Sequence, residues 1–118
     1  MQLSQQCISK ELAVKLKEAG VEQVSLFRWE KFSLDQEHEL FYDPAGEMVC
    51  LSGTKEDSLS AFSASEMAEM LKTEMEVGID FTGDGFRVMY GAKEYWWHQN
   101  LAEALGEAVL FLKTNLLI

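Results

Sequence analysis

The side chains best suited to nucleophilic or metal chemistry in this 118-residue chain are Cys7, Cys50, His38 and His98, its only cysteines and histidines. A nucleophilic cysteine must lie against a base that a third group orients, and no local signature sets either thiol beside either imidazole. Glu37-His38-Glu39 flanks an imidazole with carboxylates. In a strand His38 would point away from both, leaving only His98 to help complete a ligand set. Asp80-Phe81-Thr82-Gly83-Asp84-Gly85 carries acids at the first and fifth positions of a calcium-type loop and Gly at the sixth, but Gly91 stands where the bidentate Glu is needed. A hairpin turn explains it better. Asp and Glu fill twenty positions, so paired carboxylates arise from abundance alone and select no acid–base mechanism. The chain therefore reads away from an enzyme, with no cofactor and no metal expected.

Tyr95-Trp96-Trp97-His98 is the least ordinary segment. Successive strand residues point to opposite faces, so either Trp96 or the pair Tyr95 and Trp97 must face away from the main core. A second covering layer would absorb them, as aromatics usually anchor cores. Left open, they would form a recognition surface, for which Trp and Tyr are favoured. Met67, Met70 and Met75 read as core filling.

The elements that must position these residues follow from local pattern. Ser9 caps a predicted helix over Lys10 to Ala19, with Leu12, Ala13, Leu16 and Ala19 inward and Gly20 as its stop. Val24 to Phe32 is β-branched and aromatic and predicts a strand; Leu34 to Glu39 reads as loop. Asp43-Pro44-Ala45-Gly46 has type I turn chemistry and predicts a hairpin joining Leu40–Tyr42 with Met48–Leu51, followed by a polar connection over Gly53 to Ser58. Ser63 with Glu66 is a capping box opening a helix to about Met75. Val77, Ile79 and Phe81 alternate with polar or small residues up to Gly83-Asp84-Gly85, and Phe86, Val88 and Tyr90 continue beyond, so this hairpin is the clearest in the chain. Ala92 to Gln99 adds a third strand. Asn100 with Glu103 forms an amide variant of the capping box for a last helix, Leu101 to about Asn115, with Leu101, Ala104, Leu105, Ala108 and Leu112 inward and Gly106 marking close backbone approach. The order α-β-β-β-α-β-β-(β)-α predicts a single α+β domain over 1–118, with about three helices packed on antiparallel sheet.

Three blocks carry a family resemblance: Cys7 with Glu11-Leu12-Ala13 and Lys15 to Val21, continuing through Gln23, Ser25-Leu26-Phe27 and Trp29; then Ser60-Ala61-Phe62 with Glu66-Met67 and Glu69-Met70-Leu71; then Leu101 to Leu105 through Asn115 to Ile118. Together they resemble a family of small uncharacterised proteins encoded by phages and prophages, notably of gut Bacteroidetes and other anaerobes. The resemblance covers most of the chain except Asp35 to Asp57, and departs at Lys72, where proline is expected. It implies a phage or prophage setting and brings no catalytic residues.

A formal charge of −10 opposes binding to nucleic acid and anionic lipid, so neither direct nucleic-acid nor membrane contact is expected. The first ten residues lack an apolar signal region, Cys7 lacks a lipoprotein context, and no apolar run is long enough to cross a bilayer; a cytoplasmic protein without structural disulfides is expected. The last helix has more apolar residues than one face can hold. Leu110 and Leu117 share the side of Glu103 and Glu107, away from Leu105 and Leu112. With Tyr95, Trp96 and Trp97 they are the candidate partner-binding residues, for an unknown protein or a homodimer. Two other readings stay open. One is a small enzyme or ligand-binding domain with a pocket built from sequence-distant residues. The other is a nucleic-acid mimic presenting Glu30, Asp35, Glu37, Glu39, Asp43 and Glu47 to a DNA-binding protein.

Overall fold

A computed structural model describes residues 5–30, 37–42, 58–72, 76–92, 94–115 and 117. The chain is α+β: three helices and two three-stranded antiparallel sheets among these residues. Helix α1 spans Lys10–Glu18, with the Ser9 hydroxyl accepting from Leu12 N at 3.2 Å. It ends in a Schellman motif: Val21 N donates to Leu16 O and Gly20 N to Lys17 O, which needs the left-handed φ of +90° at Gly20.

The first sheet has the order β2-β1-β3, with β1 at Phe27–Glu30, β2 at Glu39–Tyr42 and β3 at Leu59–Ser60. Strand β1 starts later than the predicted Val24, while the predicted end at 31–32 lies outside the described residues. The amides of Ser25, Leu26 and Phe27 are taken by the side chains of Ser60, Glu66 and Ser25, so the ladder starts only at Phe27. Strand β2, expected to pair with Met48–Leu51, pairs with β1 in the register Phe27↔Tyr42 to Glu30↔Glu39. Its start at Glu39 trims the predicted loop; the turn over 43–46, the segment 48–51 and Cys50 lie outside the described residues. Strand β3 lies between the predicted polar connection and the second helix.

Helix α2, Ala64–Leu71, opens on a complete capping box, Ser63 Oγ accepting from Glu66 N and Glu66 Oε1 from Ser63 N. Met67 and Leu71 are buried; the predicted extension to Met75 enters residues outside those described.

The second sheet has the order β4-β5-β6, with β4 at Val77–Thr82, β5 at Gly85–Tyr90 and β6 at Glu94–His98. Alternation and a two-residue turn at Gly83 and Asp84, with Gly83 at φ +61°, produce the predicted hairpin. Helix α3, Leu101–Thr114, lies across β5 and β6 and packs on its other side against α1 and α2, so its buried surface is wider than one stripe. Ala102, Ala104, Leu105, Gly106, Ala108, Val109 and Leu112 are all buried. A Cβ at Gly106 would stand 2.6 Å from Leu12 Cδ2 and 3.1 Å from Ile8 Cγ2, the predicted close approach. No helix among the described residues is long and apolar enough to cross a membrane.

Candidate functional site

Two surfaces of the β4-β5-β6 sheet and its surroundings collect the chemically distinctive residues. Val88, fully buried, pairs with Ile79 and Trp96, and the rings of Tyr90 and Trp96 lie 6.0 and 5.3 Å from Phe111 of α3. That defines the helix-facing side. By alternation, Asp80, Arg87, Met89, Tyr95 and Trp97 share the opposite side, over which no described element packs.

The either-or of the aromatic run is thereby settled. Trp96 turns inward onto Phe111; Tyr95, 68% exposed, and Trp97, 46% exposed, turn outward. Trp97 also has a structural task. Its indole Nε1 donates to Thr82 O at 3.0 Å and its ring lies over Gly85, where a Cβ would stand 2.6 Å from Cζ2. Only a glycine admits an indole that close. On the same face Arg87 Nη2 meets Asp80 Oδ2 at 2.8 Å. The open face thus offers an aromatic pair, Met89 and a neutralised ion pair.

The other candidate partner-binding residues fall elsewhere. Leu110 is half-buried against the core, covered as a monomer would require, and Leu117 is exposed beyond the end of α3. With Trp96 and Leu110 packed on the helix side and Tyr95 opposite, the five do not form one patch.

A second feature was not legible from spacing. Residues Gln6 to Ser9 run between the starts of all three helices: Ala64 N donates to Gln6 O, Ile8 N to Phe62 O, Asn100 Nδ2 to Cys7 O and Ser9 N to a Glu103 carboxylate oxygen. The expected Asn100–Glu103 box is therefore half-formed. Asn100 Oδ1 accepts from Ala102 N, but Asn100 N donates to His98 Nδ1 and Glu103 serves Ser9 instead. Beside this junction lies a groove of about 600 Å³, lined by Gln5, Ser65, Phe86, His98, Gln99 and Leu101 among others. The first turns of α2 and α3 open into it, and His98 presents its second ring nitrogen away from the Asn100 amide.

The remaining candidates resolve as follows. Cys7 is buried with its thiol pushed up to about 12, first by desolvation and then by the Glu66 carboxylate, so it is no nucleophile at neutral pH. Glu37 pairs with Lys10 at 3.4 Å, and no group of three or more ligating side chains forms among the described residues. Glu30 is 1% exposed, accepts from Ser58 Oγ at 2.5 Å and lies 3.5 Å from Arg28 Nε. Burial removes it from any phosphate-like row; Asp35, Asp43 and Glu47 lie outside the described residues. Comparison with protein-family models, with curated proteins and with solved structures finds no match to this chain.

Proposed function

We propose that this chain is a non-enzymatic binding protein that engages another protein through the open face of β4-β5-β6. The observation that carries the reading is the outward pair Tyr95 and Trp97 on a sheet face that no described helix covers. Aromatic residues flanked by an Arg are the side chains that supply most binding energy at protein interfaces. Trp97 is already held by Thr82 and Gly85, so little rotamer freedom is lost on docking. The net charge of −10 would steer a partner whose docking surface is basic. The sequence resemblance supports a phage or prophage accessory role in the host cytoplasm as the setting.

The test compares capture from a bacterial host lysate by the wild type and by a Tyr95→Ser/Met89→Ser variant of unchanged circular dichroism. A prey held by the wild type, lost from the variant and rebound as a purified protein supports the reading. Identical capture by both removes this face from the function.

A second reading, ligand binding, is favoured by the groove beside His98, whose polar lining comes from segments far apart in sequence. A thermal shift with small carboxylates or phosphates that is abolished by His98→Ala would favour it over protein binding.

A further inference from the structure

Strand β4 is an edge of its sheet, and among the described residues nothing pairs with its free side. The two-residue turn makes Thr82 and Gly85 a hydrogen-bonded pair, and Gly91 N donates to Glu76 O at 2.9 Å just beyond the far end. Even-numbered residues of β4 thus bond to β5. The backbone N–H and C=O groups of Val77, Ile79 and Phe81 point out of the sheet.

The side chains of these residues lie on the helix-facing side, but within this sheet α3 packs mainly on β5 and β6. Ile79 remains 50% exposed and Phe81 79%. The one charge on β4, Asp80, is bound to Arg87. On a chain of net charge −10, this strip is locally neutral and apolar. It carries no proline, lysine or bulge, the devices that blunt an edge.

We propose that β4 pairs antiparallel with β4 of a second copy about a two-fold axis through Ile79, joining two sheets into one. The strand's sequence selects the occupant and the register. Centred on Ile79, Val77 faces Phe81 of the other copy and Ile79 faces itself, each pair exchanging two backbone hydrogen bonds, and Asp80 falls opposite Gly78. Centring on Asp80 would set two carboxylates directly opposite, and centring on Gly78 would set Asp80 against Glu76; like charges in those positions repel. The Ile79 register alone satisfies the three outward residues, matches apolar with apolar and opposes no acid to an acid. The contact is one strand edge about 20 Å long, at the small end of specific interfaces, so the dimer forms across the micromolar range.

Sedimentation velocity across that range tests it. The wild type should pass from one to two chain masses, and Ile79→Lys and Ile79→Glu should each lose the dimer. Mixed together they should regain it as a heterodimer, because residue 79 opposes itself. The same titration of Tyr95→Ser/Met89→Ser should match the wild type, which separates this edge from the open face. A wild type monomeric throughout, or a dimer indifferent to both charges, overturns the proposal. So does a failure of the two charged variants to pair, each being shown folded by circular dichroism.

Discussion

The carboxylate of Glu103, on the last helix, accepts the backbone N–H of Ser9, the residue whose hydroxyl caps the first helix. In a local capping box the acid stands three residues after the cap; that place is taken by the buried Leu12, and the acid comes instead from another helix. Glu103→Ala should cost about 1–2 kcal/mol in urea unfolding, the size of a lost cap with an amide left unpaired. Glu103→Gln keeps an acceptor oxygen and should cost less than half as much. Equal losses for the two would mean that the bond contributes nothing.

Gly106 sets two opposing effects against each other. Alanine gains about 1 kcal/mol of helix propensity, whereas overpacking a core costs about 1–3 kcal/mol. With Leu12 Cδ2 at 2.6 Å and Ile8 Cγ2 at 3.1 Å from the added Cβ, overpacking wins and Gly106→Ala is destabilising. Leu12→Ala should then cost less in the Gly106→Ala background than in the wild type. Additive losses in a double-mutant cycle would contradict the close approach.

At Gly85 the obstacle includes backbone: an added Cβ would lie 2.7 Å from His98 O as well as against the Trp97 ring. Gly85→Ala should lower stability by about 1–3 kcal/mol and displace the indole, changing the near-ultraviolet circular dichroism. An unchanged spectrum would show that Trp97 does not cover that site.

Cys7 titrates at about 12 rather than at its ordinary 9.0 because burial, and secondarily Glu66, disfavours the thiolate. A raised acid pKa in the folded state stabilises fully below the unfolded value, and this contribution is lost as pH climbs from about 9 toward 12. The stability difference between wild type and Cys7→Ala should therefore be constant near neutrality and narrow at alkaline pH. In a Cys50→Ala background, a thiol reagent at neutral pH should label Cys7 only after unfolding; fast labelling of the native chain would refute its burial.

The features legible in the sequence were those written within a few residues. The β4-β5 hairpin follows from alternation and a glycine turn, and the Ser63 box and Gly106 needed no knowledge of the fold beyond a helix. Glu66 shows the limit: its box was readable, but not that its carboxylate also accepts from Ser25 Oγ and Leu26 N, which delays the start of the predicted strand. Spacing pairs Glu103 with Asn100, because Ser9 lies 94 residues away in the chain. For the aromatic run, alternation gave two choices, and only the position of Phe111 decides that Trp96 is the inward one.

The junction at Gln6 to Ser9 also bears on how the chain acquires its structure during synthesis. Its hydrogen bonds to Asn100 and Glu103 join residues 93 and 94 positions apart, and α1 buries Leu12 against Gly106. A nascent chain still lacking α3 can set its first helix against β3, but the side of Leu12 that meets Gly106 stays uncovered. Non-local closure is slow, and exposed apolar surface in the interval invites aggregation. Helix α1 is thus fully secured only after the ribosome has delivered α3.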